Sequence, residues 1–415
     1  MRKLIINGGN KLKGEITISG AKNSAVALIP ASILSDEEVI ISNVPNITDR
    51  EALNEILEYL GAEVSFDKGE MKINTKKISN KEIPEEISKK LRASYYFMGA
   101  LLSKFKKVKM FFPGGCNIGS RPINLHLKGF ELLGAKVIQE KNLYIIEADE
   151  LKGANIYLDV PSVGATINLM LAASKAQGTT IIENAAKEPE IVNVAIFLNN
   201  MGAKIVGAGT SEIKITGVEK LGKCYHEVIP DRIEAGTYLI AGALCGKELV
   251  IKNVITEHLD ALISKLKETG TKISIENTQI TISKPEKFLP IYIKTLGYPG
   301  FPTDLQQPLS TLLTQCEGTS MIEETIWEKR FQNLDYLKKM GANIEYEGNK
   351  AIIKGKTELN GLEVEATDLR GGACMVLAGL IAKDKTVINN VDHILRGYDH
   401  IIEKLKNVGA EIKAE

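Results

Sequence analysis

The chain carries only eight arginines, at positions 2, 50, 92, 121, 232, 330, 370 and 396, against 44 lysines. Lysine serves wherever a generic positive charge is needed, so arginine is reserved for something more specific. Apart from Arg2, each arginine falls at or just before a predicted helix start, as in Asp49-Arg50-Glu51, Ser120-Arg121-Pro122, Lys329-Arg330-Phe331, Leu369-Arg370-Gly371 and Leu395-Arg396-Gly397. A helix N-terminus carries about half a positive charge, and a cation placed there costs about 0.3–1 kcal/mol unless an anion is nearby. Lys22, in Gly20-Ala21-Lys22-Asn23, makes the same choice. Helix starts combined with guanidinium forks suit phosphate and carboxylate groups, which they hold through paired planar hydrogen bonds. The pattern points to a multiply anionic substrate. For Arg50 and Arg232 a plainer reading stands beside it, with Asp49 and Asp231 as helix caps and the adjacent Arg simply paired.

A second chemical feature is the loop Phe112-Pro113-Gly114-Gly115-Cys116-Asn117-Ile118-Gly119-Ser120-Arg121-Pro122, with three glycines and two prolines around one cysteine. Such a loop suits a lid that approaches a ligand closely. Arg121 nearby would lower the thiol's pKa and let Cys116 exchange a proton near neutrality. Cys245 and Cys374, within apolar helical stretches, read instead as small core residues.

Composition limits what these features serve. The 415 residues hold 52 Lys+Arg and 52 Asp+Glu, so the formal net charge is zero. Nucleic acid and anionic membrane partners favour a basic excess, and neither is expected here. The N-terminal run reaches Gly8 after three apolar residues, and no apolar stretch approaches the roughly 20 residues of a membrane helix. Five widely spaced cysteines without a C-x-x-C pair read as a reduced, cytoplasmic protein with no disulfide frame and no metal site. No cofactor is expected, since no phosphate-loop or dinucleotide fingerprint is present.

The elements that position these residues come from a repeat. One phrase, a helix end running into a strand, recurs around Gly61, Gly134, Gly202, Gly270, Gly341 and Gly409, as in Leu133-Gly134-Ala135-Lys136-Val137 and Met340-Gly341-Ala342-Asn343-Ile344. Glycine there suits a left-handed helix cap, and the β-branched runs that follow suit strands. Six units of about 70 residues, each with two helices and short strands, predict compact α/β modules rather than an open solenoid.

Taken together, Gly20-Ala21-Lys22-Asn23, the Pro-Gly-Gly-Cys loop, Arg121-Pro122-Ile123-Asn124-Leu125-His126, Pro161-Ser162-Val163-Gly164-Ala165-Thr166, Glu188-Pro189-Glu190, Phe301-Pro302-Thr303-Asp304 and Thr367-Asp368-Leu369-Arg370 resemble the enolpyruvyl transferase family, in its UDP-N-acetylglucosamine branch. The resemblance runs in order from about residue 3 to the C-terminus. It implies a two-domain inside-out α/β barrel of six βαβαββ repeats, three per domain. Residues 21–229 would form the domain with the Cys lid, residues 1–20 plus 230–415 the second, and the active site would lie in the cleft between them.

The implied substrates are phosphoenolpyruvate and UDP-N-acetylglucosamine. By resemblance, Lys22, Arg121 and Arg396 hold the phosphate, with Arg330 and Arg370 near the carboxylate. Asp304 takes the proton of the sugar hydroxyl, although a helix N-cap is the plainer reading of Asp304 after Pro302-Thr303. Cys116 donates a proton to the methylene carbon and is the point of covalent attack by fosfomycin. Contacts to the nucleotide sugar are implied for Asn23, Arg92, Arg121, Pro122, Ile123, Asn124, Leu125, His126, Ser162, Val163, Gly164, Asp304 and the backbone of Ile326.

Three positions depart from the family pattern: Asn124 stands where Asp is usual, Tyr96 where some relatives have Trp, and Val160 where others have Lys. These changes bear on nucleotide affinity more than on chemistry. Two rival functions remain: an enolpyruvyl transferase acting on shikimate 3-phosphate, against which the Cys loop argues, and a non-catalytic α/β repeat scaffold, which would have no use for that thiol.

Overall fold

The computed structural model describes residues 2–112 and 122–415. Two compact units divide these residues, one built from residues 2–19 and 230–415 and the other from residues 20–112 and 122–229. Each unit has its own apolar core.

The repeat is plainest in residues 155–216. A strand (Asn155–Tyr157), a helix (Val163–Ala173), a strand (Thr179–Glu183), a second helix (Pro189–Asn200) and a hairpin (Lys204–Val206 with Glu212–Thr216) follow in order. The first two strands pair in parallel and the hairpin adds antiparallel strands, giving one four-stranded sheet. Among the described residues there are six such sheets. In five of them one parallel pair is followed by antiparallel strands, and in the sixth a single parallel bridge, Ile83 with Met110, stands in for the fourth strand. The sheets are separate and close no continuous barrel wall. The last sheet is completed by the start of the chain, since Leu4–Asn7 pairs antiparallel with Lys385–Asn389 and with Glu411–Ala414.

Helices fill the centre of each unit. Lys22–Ala31, Tyr96–Phe105 and Val163–Ala173 are buried along almost their whole lengths, and the second packs against both of the others. Arg232–Cys245, Thr303–Leu313 and Leu369–Ile381 pack mutually in the other unit. A helix apolar on every side belongs in a core, which explains why Val163–Ala173 and Leu369–Ile381 show no amphipathic stripe in the sequence. Thr303–Leu313, by contrast, carries a leucine stripe and still buries Gln306, Gln307, Ser310 and Thr311. No described helix is long and apolar enough to cross a membrane.

All six glycines of the repeat phrase have positive φ, from 88° at Gly270 to 112° at Gly341. In each, the glycine N–H donates to the carbonyl three residues back and the next N–H to the carbonyl five back, as with Gly202 to Asn199 and Ala203 to Leu198. This double closure ties off the helix and aims the chain into the next strand. A second repeat feature follows the central strands, where Asn43, Asn184, Asn253 and Asn390 are all left-handed. The Nδ2 of Asn43, Asn184 and Asn253 donates to the carbonyl of Val228, Leu158 and Ile18, at 2.7–2.8 Å, pinning the parallel strand pair.

Gly202 isolates the backbone requirement, because a Cβ there would meet nothing within 4 Å. Gly202→Ala is therefore expected to destabilise the protein by about 1–2 kcal/mol through φ alone. Gly202→Asn should cost less, since Asn tolerates this conformation. Urea unfolding midpoints of the three proteins check the order.

Candidate functional site

In the unit of residues 20–112 and 122–229, Lys22 opens its helix, followed by Asn23. Its Nζ lies 2.9 Å from Oδ2 of Asp49, whose side chain is 3% exposed. Asp49 is thus not the helix cap expected from the sequence: the helix Thr48–Leu60 starts after Ile47 with no side-chain cap, and the carboxylate is turned toward Lys22 instead. Arg50 is locally occupied, donating to Asn46 and Glu51 and lying 4.0 Å from the centroid of Phe66. The pairing of Lys22 with Asp49 escaped sequence reading because the partners are far apart along the chain.

The same unit holds most of the residues expected at a nucleotide sugar. Arg92 begins the turn Arg92–Tyr95 and stacks toward Phe112, 5.8 Å from its centroid. Pro122 and Asn124 are exposed and Ile123 is buried, ahead of the helix Asn124–Leu132 that carries Leu125 and His126. Ser162 caps the helix Val163–Ala173, its hydroxyl accepting from the N–H of Ala165 at 3.3 Å. Gly164 sits against the imidazole, since a Cβ there would lie 3.2 Å from His126 Cε1 and 2.7 Å from Tyr95 Oη. His126 is buried, and that burial, with the nearby Arg92 charge, pushes its pKa down to about 3. It is neutral at physiological pH. Tyr96 is buried and Val160 exposed. Cys116 and Arg121 lie outside the described residues.

In the other unit, Asp304 is the centre of a charge cluster. Its Oδ1 accepts from Arg330 Nη2 at 2.8 Å, and its Oδ2 from Arg370 Nη2 at 3.0 Å and Nε at 3.3 Å. Both guanidiniums have side chains only 3% exposed. Burial alone would raise the Asp304 pKa, but the Arg370 and Arg330 charges and their hydrogen bonds override it and hold the carboxyl well below the usual carboxylate range. The N-cap reading fails here: Pro302 occupies the cap position of the helix Thr303–Leu313, and the Asp304 side chain faces the arginines rather than the helix N–H groups.

Arg330 also donates to the Thr303 hydroxyl at 2.8 Å, and that hydroxyl donates to buried Glu324. Glu324 in turn accepts from Thr295 Oγ1 and from the N–H groups of Ile326 and Trp327. Sequence reading passed over Glu324, and its partners Thr295 and Thr303 gave no separate signal. Asp368 caps the helix Leu369–Ile381, accepting from the N–H groups of Arg370 and Gly371. Asp231 caps Arg232–Cys245 as its plainer reading held, through the N–H groups of Ile233 and Glu234. Arg396 departs from the helix-start pattern, because it follows the short helix Asp392–Leu395, five residues ahead of Ile401–Asn407. Among the described residues no group of three His, Cys, Asp or Glu side chains is placed to hold a metal ion.

Repeated βαβαββ units, with the buried Asp304–Arg330–Arg370 cluster in one compact unit and the Lys22–Asp49 pair in the other, suit a protein that handles anionic groups. The chain belongs to the EPSP synthase (3-phosphoshikimate 1-carboxyvinyltransferase) family, whose model matches residues 6–405. It is 54% identical over 416 residues to UDP-N-acetylglucosamine 1-carboxyvinyltransferase 2 of Bacillus subtilis (strain 168), covering all of this chain and 97% of that protein. A protein of the same name from Listeria monocytogenes serovar 1/2a is 54% identical over 410 residues, covering 99% and 97%. Among solved structures, the enolpyruvyl transferase NikO from Streptomyces tendae superposes with a TM-score of 0.90 at 25% identity, over 100% of this chain and 98% of that one. EPSP synthase from Acinetobacter baumannii, at 20% identity and a TM-score of 0.78 over the full length of both chains, shares the fold.

Removing one partner of a buried ion cluster costs about 3–5 kcal/mol, so Asp304→Asn should be destabilised by about that much near pH 7. The Asp304 pKa is lowered from 3.8 by folding, so its ionised form contributes fully above that value and less as the pH falls below it. The gap between wild type and Asp304→Asn should therefore narrow by about 1.4 kcal/mol per pH unit below that point. Denaturant titrations at several pH values measure it; a gap independent of pH would deny the carboxylate this role.

Proposed function

We propose that this chain transfers the enolpyruvyl group of phosphoenolpyruvate to the 3-hydroxyl of UDP-N-acetylglucosamine and releases phosphate, the opening step of peptidoglycan synthesis. The observation that carries this reading is the full-length identity of 54% to relatives named for that sugar nucleotide. The likeness to EPSP synthase from Acinetobacter baumannii is only 20%. An enzyme with these substrates would work in the cytoplasm and serve cell-wall growth, cell shape and division.

In the reaction the sugar oxygen bonds to C2 of phosphoenolpyruvate while its proton passes to a base and C3 gains a proton. The tetrahedral adduct then loses a proton from C3 and expels phosphate, leaving the enol ether. Positive groups must follow charge as it moves between carboxylate and phosphate, a task for preorganised cations. Lys22, Arg121 and Arg396 serve the phosphate, and Arg330 and Arg370 the carboxylate. Cys116 protonates C3 and is the nucleophile that fosfomycin alkylates. The nucleotide sugar is held by Asn23, Arg92, Arg121–Leu125, His126, Ser162–Gly164 and the backbone of Ile326.

Asp304 is the base, and its present partners explain how it is controlled. Clamped by two guanidiniums, its carboxylate is too weak a base to take a hydroxyl proton. A substrate carboxylate competes for Arg330 and Arg370, and each hydrogen bond it draws away raises the basicity of Asp304. The base is therefore released only when phosphoenolpyruvate is in place.

Inorganic phosphate release from phosphoenolpyruvate is expected to require UDP-N-acetylglucosamine in wild type and to fall at least about a hundredfold in Asp304→Ala. Release with shikimate 3-phosphate instead would move the assignment to that acceptor, and no release with either would refute catalysis.

A further inference from the structure

The side chain of Asn168 is wholly buried in the middle of the apolar helix Val163–Ala173, where an amide must have every hydrogen bond satisfied. Its Oδ1 accepts from the backbone N–H of Gly99 at 2.8 Å, and its Nδ2 donates to the carbonyl of Tyr95 at 2.9 Å. These two partners leave no choice of orientation, because a backbone N–H only donates and a carbonyl only accepts. The second Nδ2 hydrogen faces His126 Nδ1 at 3.0 Å. A donor opposite Nδ1 requires a lone pair there, so the imidazole proton resides on Nε2.

The surroundings hold this arrangement in place. Gly99 is needed for it, since a Cβ at that position would lie 2.3 Å from Asn168 Oδ1. The Tyr95 ring packs edge-on against the imidazole, with centroids 4.9 Å apart. Arg92 is the charged group acting on His126 among the described residues. Nε2 has no hydrogen-bond partner among the described residues. We infer that Asn168 is a positioning residue, which fixes His126 with its proton on Nε2 so that the ring offers the sugar nucleotide an uncharged hydrogen-bond donor beside Arg92. The use of that donor rests on the nucleotide-sugar reading given above; the tautomer does not.

An uncharged donor has a specific advantage at a diphosphate. It adds a hydrogen bond without a second cation next to Arg92, and its donor count does not change across physiological pH. Asn168→Asp reverses the logic. The carboxylate still accepts from Gly99, but it now faces Nδ1 with an acceptor and pulls the proton there, leaving Nε2 without one. Only at lower pH, when the ring carries both protons, does Nε2 donate again.

The test is long-range 1H–15N correlation NMR on histidine-labelled wild-type protein, with the His126 signals identified by their loss in His126→Gln. An Nε2–H tautomer that does not titrate between pH 5.5 and 8, and an Nε2 signal that shifts on adding UDP-N-acetylglucosamine, are expected. An Nδ1–H tautomer, ordinary titration in that range, or an Nε2 signal unmoved by the bound sugar nucleotide would overturn the inference. Calorimetric binding of the sugar nucleotide should be flat with pH in wild type. In Asn168→Asp it should weaken about tenfold at pH 8 and recover toward pH 5.5. Weakening equal at every pH would mean a purely structural amide. The wild-type NMR result stands even if that variant misfolds, and phosphate release, measured separately, tells failure of the proposed reaction from failure of this inference.

Discussion

Arg330 and Arg370 have side chains only 3% exposed, and taking a guanidinium out of water costs several kcal/mol unless an anion replaces the lost hydration. Asp304 is that anion for both, and the carboxylate is in turn held ionised by the two charges it serves. Lys22 and Asp49 repeat the device in the other unit. Positive charge is thus stored as buried ion pairs in a protein of zero formal net charge. An anionic substrate has to displace a carboxylate to reach it. In the proposed reaction that exchange would select ligands with matched geometry over anions in general and would couple binding to the release of Asp304 as the base.

The repeat was legible because geometry leaves few residue choices at its key position. A helix that closes in the left-handed region strongly prefers glycine, and six glycines with positive φ stand where the phrase recurs. The left-handed asparagines after the central strands are as regular, yet they gave no signal, because Asn is common in turns of many kinds. The central helices were visible as apolar runs but not their packing partners. Arginine placement was legible as a pattern and misleading in detail: Arg396 follows a helix rather than starting one, and Asp304, which reads locally as a cap, is drawn away by guanidiniums 26 and 66 residues further along the chain. Local propensity could not anticipate a long-range charge that outweighs a cap hydrogen bond.

Asn168 shows the converse. Within the helix Val163–Ala173 it reads as the one amide among small and mostly apolar residues, where a buried amide usually only joins two helices. Here it does join them, through Gly99 and Tyr95, and those same two bonds dictate what it must present to His126. A structural hydrogen bond becomes a chemical one because hydrogen bonds have direction.

The places where the repeat breaks its own rule are informative for the same reason. Four central strands end in a left-handed Asn, but Lys107–Phe111 runs straight on into Phe112, and Gly318–Glu323 into Glu324. The first exception leads to the segment with Cys116. The second leads to Ile326 and Arg330, with Glu324 gathering two backbone N–H groups and two threonine hydroxyls, one of which supports Arg330. An Asn at these two positions would finish the strand pair as it does elsewhere and return the chain to the common turn. After Glu323 its absence leaves Glu324 and the residues that follow on a course that the frame does not prescribe. In the proposed reaction a pseudo-symmetric scaffold would depart from its own repeat where its working residues lie, since consistency across levels stabilises a fold and is given up where chemistry needs another conformation.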